Sequence, residues 1–127
     1  MNSSVADKRK ILLVEDEEEM LELFSLRLER NGYDIIKAKD GQEALEKACK
    51  ENPDLILLDI MIPKINGLEV CHMLKVNDKY KHIPVIILSA LMQERDKEKA
   101  REYGAVAYFV KPFNLSFLLR KIASLLG

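Results

Sequence analysis

The sequence predicts an α/β domain, a parallel sheet with helices packed on both faces, and three observations carry that prediction. Five short runs rich in β-branched residues or leucine alternate with five longer stretches of helical periodicity. Four of the five runs are almost wholly apolar instead of alternating, the mark of strands covered on both sides. The 127 residues suffice for one compact domain, and a 48% apolar fraction fills its core without disulfide staples.

Residues 1–8, MNSSVADK, are small, polar and unpatterned, and are expected to form a flexible leader, with the domain running over 9–127. The first strand is Ile11 to Val14. The first helix is expected to open at Asp16, because Glu19 stands three residues on, the spacing of an N-cap and its reciprocating carboxylate; Asn31-Gly32 stops it. Tyr33 to Ala38 is a more polar strand and belongs at a sheet edge. Asp40 and Glu43 repeat the cap spacing for the second helix, which ends at Asn52-Pro53. Leu55 to Leu58 is the third strand, Asn66-Gly67 opens the third helix, and Val85 to Leu88 is the fourth strand.

The fourth helix, Gln93 to Tyr103, is almost entirely charged and offers the core little beyond Ala100 and Tyr103. Tertiary burial holds most protein helices in place, so this one should be the most weakly docked. Val106 to Val110 is the fifth strand. The fifth helix starts at Asn114 and turns Leu115, Leu118, Leu119, Ile122 and Leu126 inward, leaving Phe117 and Leu125 off the stripe as a candidate partner surface.

Twenty basic residues against twenty-one acidic ones give a formal charge of -1, which provides no electrostatic footprint for nucleic acid or an anionic membrane. Cys49 and Cys71 lack a C-x-x-C spacing, no leader resembles a signal peptide, and no apolar run reaches the ~20 residues of a membrane span. A reducing cytoplasm is the expected location.

In an open parallel sheet, functional groups gather beyond the carboxyl ends of the strands. Those ends carry Glu15 and Asp16, Asp59, Ser89 and Lys111. Each has an unremarkable reading: Asp16 a helix cap, Glu15 a rim carboxylate, Ser89 a turn residue, Lys111 a surface charge. Helix capping alone would not put them all on one side of the sheet. Two carboxylates ~5 Å apart repel by roughly 3 kcal/mol at an effective dielectric near 20, so three in one cleft favour protonation or a bound cation. An oxygen-rich site suits magnesium, which leaves coordination positions free for a phosphate oxygen, and an aspartate beside it can act as a nucleophile.

The segments VEDEEE, LLDIMIPKINGLEV, IILSA and AYFVKPF, in this order and spacing, resemble the response-regulator receiver domain of two-component signalling, over about Arg9 to Leu126. The resemblance implies a flavodoxin-like (βα)5 fold, doubly wound with strand order 2-1-3-4-5, two helices on one face and three on the other. It implies that Asp59 takes a phosphoryl group from a sensor histidine kinase or a histidine phosphotransfer protein. Glu15, Asp16, Asp59 and the Met61 carbonyl would bind Mg2+ or Mn2+, with Glu15 acting through water. Ser89 and Lys111 would contact the phosphoryl group, and Ser89 with Tyr108 would form the switch. Pro63 and Gly67 match the turn after the nucleophile, and Lys111-Pro112 the family's cis peptide. Two positions depart from the pattern: Ala107 stands where many members have an acid, and Lys64 where glycine or an acid is common.

The implied output runs through the face of the fourth helix, fifth strand and fifth helix, toward a downstream protein, an output domain or a second copy. Met61 and Leu91 would flank the phosphoryl group and slow its hydrolysis. A haloacid-dehalogenase-like phosphatase would need an aspartate at Met61, and a flavin binder would be repelled by Glu17-Glu18-Glu19; an unmodified scaffold would not need these site residues. His72 and His82 are expected to be ordinary surface residues, and no turnover of an external substrate is expected.

Overall fold

The computed structural model describes residues 8–127, so the expected leader lies, save for Lys8, outside the described residues. The order is β1 (Lys10–Val14), α1 (Glu18–Arg30), β2 (Asp34–Ala38), α2 (Gly41–Glu51), β3 (Leu55–Leu58), α3 (Gly67–Lys75), β4 (Val85–Ser89), α4 (Glu94–Glu102), β5 (Ala107–Val110) and α5 (Leu115–Leu126). All pairings are parallel, in the order β2-β1-β3-β4-β5. The polar second strand is an edge, as expected. Tyr33 falls outside it because its amide still bonds the Leu28 carbonyl at the end of α1.

Alternation along the strands divides the core in two. Leu12, Val14, Ile56, Leu58, Val85 and Ile87 pack with residues of α2, α3 and α4. Ile11, Leu13, Leu55, Leu57, Ile86 and Leu88 pack with residues of α1 and α5. Both sets are apolar because both faces are covered, which is why these strands show no polar alternation. β5 differs: as the other edge, beside a helix with one buried residue, Ala100, its four residues are only half-buried.

The caps explain most helix boundaries. Asp40 Oδ1 accepts the Glu43 amide at 2.8 Å, while Glu43 Oε1 accepts the Lys39 amide at 2.8 Å, one residue before the usual reciprocal partner. Asn66 and Asn114 accept the amides of Glu69 and Ser116. Asn52 ends α2 in the left-handed region at φ 50°. α1 corrects the sequence reading: it is capped by Glu17 without a side-chain bond, so Asp16 is not its N-cap. Leu125 is a second correction. It is partly buried against the α1/α5 core, so Phe117, 56% exposed beneath the Arg120 guanidinium, stands without it.

α4 is fastened mainly at its C-terminal end. The Cys71 thiol donates to the Tyr103 carbonyl at 3.4 Å, and the His72 ring lies 4.6 Å from the Tyr103 ring. Burial pushes the Cys71 thiol up to about 11. Cys49, His72 and His82 are exposed.

Gly67 is required by contact. A Cβ there would lie 2.1 Å from the Asp59 carbonyl oxygen, a backbone atom that cannot rotate away. Gly67→Ala is expected to cost about 1 to 3 kcal/mol, the usual range for overpacking, measured as a lowered urea midpoint at unchanged slope.

Candidate functional site

Parallel strands all end on the same side, and backbone bonds stitch those ends together. The Glu15 amide donates to Ala38, the Asp59 amide to Val14 and the Lys111 amide to Ser89. The carboxylates of Glu15, Asp16 and Asp59 each offer an oxygen within 4.8 Å of the others. Glu15 and Asp59 are 4% and 7% exposed, whereas Asp16 faces solvent.

Lys111 is the counter-charge. Its Nζ lies 2.7 Å from Glu15 Oε1 and 2.9 Å from Asp59 Oδ2. Burial alone would pull its ammonium down, but hydrogen bonds and charge from Glu15 and Asp59 outweigh that and hold its pKa above the ordinary lysine value. The other carboxylate oxygens are engaged by backbone: Glu15 Oε2 accepts the Glu17 amide at 3.0 Å, and Asp59 Oδ1 accepts the Met61 amide at 3.1 Å. Asp16, relieved of the capping role expected for it, is the carboxylate open to an incoming cation. This donor set, all oxygen and more anionic than one lysine can balance, fits Mg2+ or Mn2+.

Ser89 is fully buried at the end of β4, and its hydroxyl accepts the Leu91 amide at 3.2 Å. Tyr108 donates its hydroxyl to the Leu91 carbonyl at 2.7 Å. The two residues expected to form a switch thus hold the same residue of the β4–α4 loop, one through its N–H and the other through its C=O. Desolvation raises the Tyr108 pKa, so the hydroxyl keeps its proton. Met61 is 63% exposed at the site mouth, Leu91 is half-buried, and Lys111-Pro112 is cis. The Met61 amide and the Leu91 peptide are parts of the site that residue types do not reveal.

Comparison with known proteins decides the family, since the description of the response regulator receiver domain matches residues 11–123. The chain belongs to the response-regulator receiver family. It is 48% identical over 106 residues to the alkaline phosphatase synthesis transcriptional regulatory protein PhoP of Bacillus subtilis, covering 84% of this chain but only 43% of that protein. It is 40% identical over 119 residues to the polar-differentiation response regulator DivK of Brucella anthropi, covering 94% and 97% of the two chains. The BeF3-activated receiver domain of Klebsiella pneumoniae RstA superposes with a TM-score of 0.85 at 30% identity, over 91% of this chain and 97% of that one.

The flavodoxin-like fold and strand order expected of a receiver domain are those observed. Receiver domains are signalling switches and generally not turnover enzymes, and they bind Mg2+ at an acidic pocket of the kind formed here by Glu15, Asp16 and Asp59. Among the described residues, no helix is long and apolar enough to cross a membrane.

Removing Lys111 leaves three carboxylates without their cation. Lys111→Met is expected to cost about 3 kcal/mol in divalent-free buffer, and added Mg2+ should restore more stability to the variant than it adds to wild type, both read by thermal unfolding. The pH sign follows from the raised pKa: the ion pair contributes fully below the ordinary lysine pKa and is lost as pH rises through the higher folded value. Wild type should therefore lose stability in that alkaline window by a component absent from Lys111→Met.

Proposed function

We propose that Asp59 accepts a phosphoryl group from a phosphohistidine on a sensor histidine kinase or histidine phosphotransfer protein, and that a downstream protein or output domain reads the modified state through α4, β5 and α5. The observation that carries this reading is the carboxylate trio with Lys111 across two of its members. In the transfer, Asp59 attacks phosphorus, the P–N bond to the donor imidazole breaks, and its electron pair returns to the ring nitrogen. Glu15, Asp16, Asp59 and the Met61 carbonyl would hold Mg2+ or Mn2+, which when bound offsets the negative charge brought by the phosphoryl oxygens.

This chain's own residues supply the rest. The Met61 amide and Lys111 fix the two oxygens of Asp59, so the nucleophile is oriented before a donor arrives. Lys111 remains beside the new group to bind one of its oxygens, and Ser89 donates its hydroxyl to another. The Ser89 oxygen accepts the Leu91 amide while its own proton stays free to donate, so a shift of Ser89 toward the phosphoryl oxygens would draw on the Leu91 peptide, whose carbonyl holds the Tyr108 hydroxyl. α4 follows the same loop, and its scant burial makes its position sensitive to a small energy difference.

Apolar Met61 and Leu91 at the mouth slow hydrolysis of the acyl phosphate, and Asp59 undergoes modification and release without turnover of a separate substrate. The same α4, β5 and α5 face would serve a phosphorylation-dependent dimer. The protein would work in the cytoplasm, with no direct nucleic-acid or membrane partner.

Incubation with acetyl phosphate and Mg2+ is expected to add one hydroxylamine-labile phosphoryl group at Asp59, detected by intact-mass analysis and peptide mapping. Asp59→Asn should take up none, and a wild type that stays unmodified with this donor and with a phosphorylated histidine kinase would remove the reading. Ser89→Ala and Tyr108→Ala should still be modified but lose the phosphorylation-induced amide NMR shifts across α4 and β5; retention of those shifts in both variants would refute the switch.

A further inference from the structure

The corner between β2 and α2 contributes no carboxylate to the acidic cluster, yet it touches both segments that do. On one side the Ala38 carbonyl accepts the Glu15 amide at 3.0 Å, fixing the backbone from which Glu15 and Asp16 project. On the other, the Gly41 amide donates to the Pro63 carbonyl at 3.0 Å, in the segment that runs from Asp59 through Met61 to α3. Gly41 is also seated against that segment. A Cβ on it would lie 2.0 Å from the Ile65 carbonyl oxygen and 2.7 Å from Ile65 Cβ.

A third link is ionic: Lys64 Nζ lies 3.6 Å from Asp40 Oδ2, and Lys64 holds φ 70°, a conformation side chains rarely adopt. Asp40 meanwhile caps α2 through the Glu43 amide, so the helix start is itself fixed.

We infer that the β2–α2 corner is a positioning element for the cation site: Gly41, supported by Asp40, sets the spacing between the Glu15-Asp16 pair and the Asp59–Met61 segment. The physical reason is that magnesium demands near-ideal octahedral geometry at short metal–oxygen distances, so displacement of one segment by even part of an ångström removes a ligand. Glu15 and Asp59 directly follow adjacent strands and are held to the sheet through their amides, but the residues after Asp59 have left the sheet and need another support. Gly41 supplies it, because only a residue without a side chain lets the first turn of α2 come this close.

The inference rests on the reading of Glu15, Asp16 and Asp59 as a cation site, and the test separates the two. Mg2+ affinity of the full chain is measured by titration followed in amide NMR, for wild type, Gly41→Ala, Asp40→Ala and a control, Ala48→Gly, which weakens α2 well away from the corner. Gly41→Ala is expected to weaken Mg2+ binding by about tenfold or more, the scale seen for residues that orient metal ligands. Asp40→Ala should weaken it by a smaller factor, and Ala48→Gly should lower the unfolding temperature while leaving Mg2+ affinity unchanged. Wild-type affinity in Gly41→Ala, or in Asp40→Ala should the glycine variant fail to fold, would overturn the positioning role. An equal loss in Ala48→Gly would also overturn it, by tracing the effect to helix stability. A wild type that binds no Mg2+ would instead overturn the cation site itself.

Discussion

Like charges held together without enough counter-charge are the constraint around which this molecule is built. Glu15, Asp16 and Asp59 crowd three carboxylates within 4.8 Å, and Lys111 neutralises one charge's worth. The sheet bears the cost: four nearly solid apolar strands and two separate cores provide the burial that keeps the strand ends from spreading. The remaining imbalance leaves the arrangement of these groups sensitive to added charge, such as the proposed cation and phosphoryl group would bring.

Stability is distributed unevenly, in a way that suits this. β1, β3 and β4 are buried on both faces, while β5 and α4 form the thin side of the domain. Leu91 lies at the junction, with the Ser89 hydroxyl on its N–H and the Tyr108 hydroxyl on its C=O. In the proposed switch, a change at Ser89 would reach the thin side through one peptide unit, with the rigid side to act against.

Much of the fold was legible in the sequence because its signals are local. The apolar runs, the Asn-Gly and Asn-Pro stops, and the caps at Asp40, Asn66 and Asn114 each need only neighbouring residues to be understood. The errors arose where local chemistry admits two outcomes. Asp16 has the spacing of a cap, yet α1 starts two residues later; of the two places expected for it, the helix cap and the acidic cluster, only the cluster is observed. Leu125 follows the buried Leu118 by seven residues, only about 20° from it around an ideal helix, so it belongs to the margin of the inward stripe and is covered in part. The half-burial of β5 depends on what packs beside it and not on its own residues. Likewise the family motifs pointed to the site side chains, whereas the Met61 amide, the Leu91 peptide and the Pro63 carbonyl are backbone groups that any residue could supply.

The two cysteines differ sharply in setting: Cys71 is sealed beneath Tyr103 with its thiol pushed up to about 11, and Cys49 lies open on the outer surface of α2. At neutral pH a maleimide dye or spin label would therefore attach at a single place without any engineering of the chain. A reporter there would ride on the helix whose first turn abuts the acidic loop, far enough along it to leave the cluster itself undisturbed.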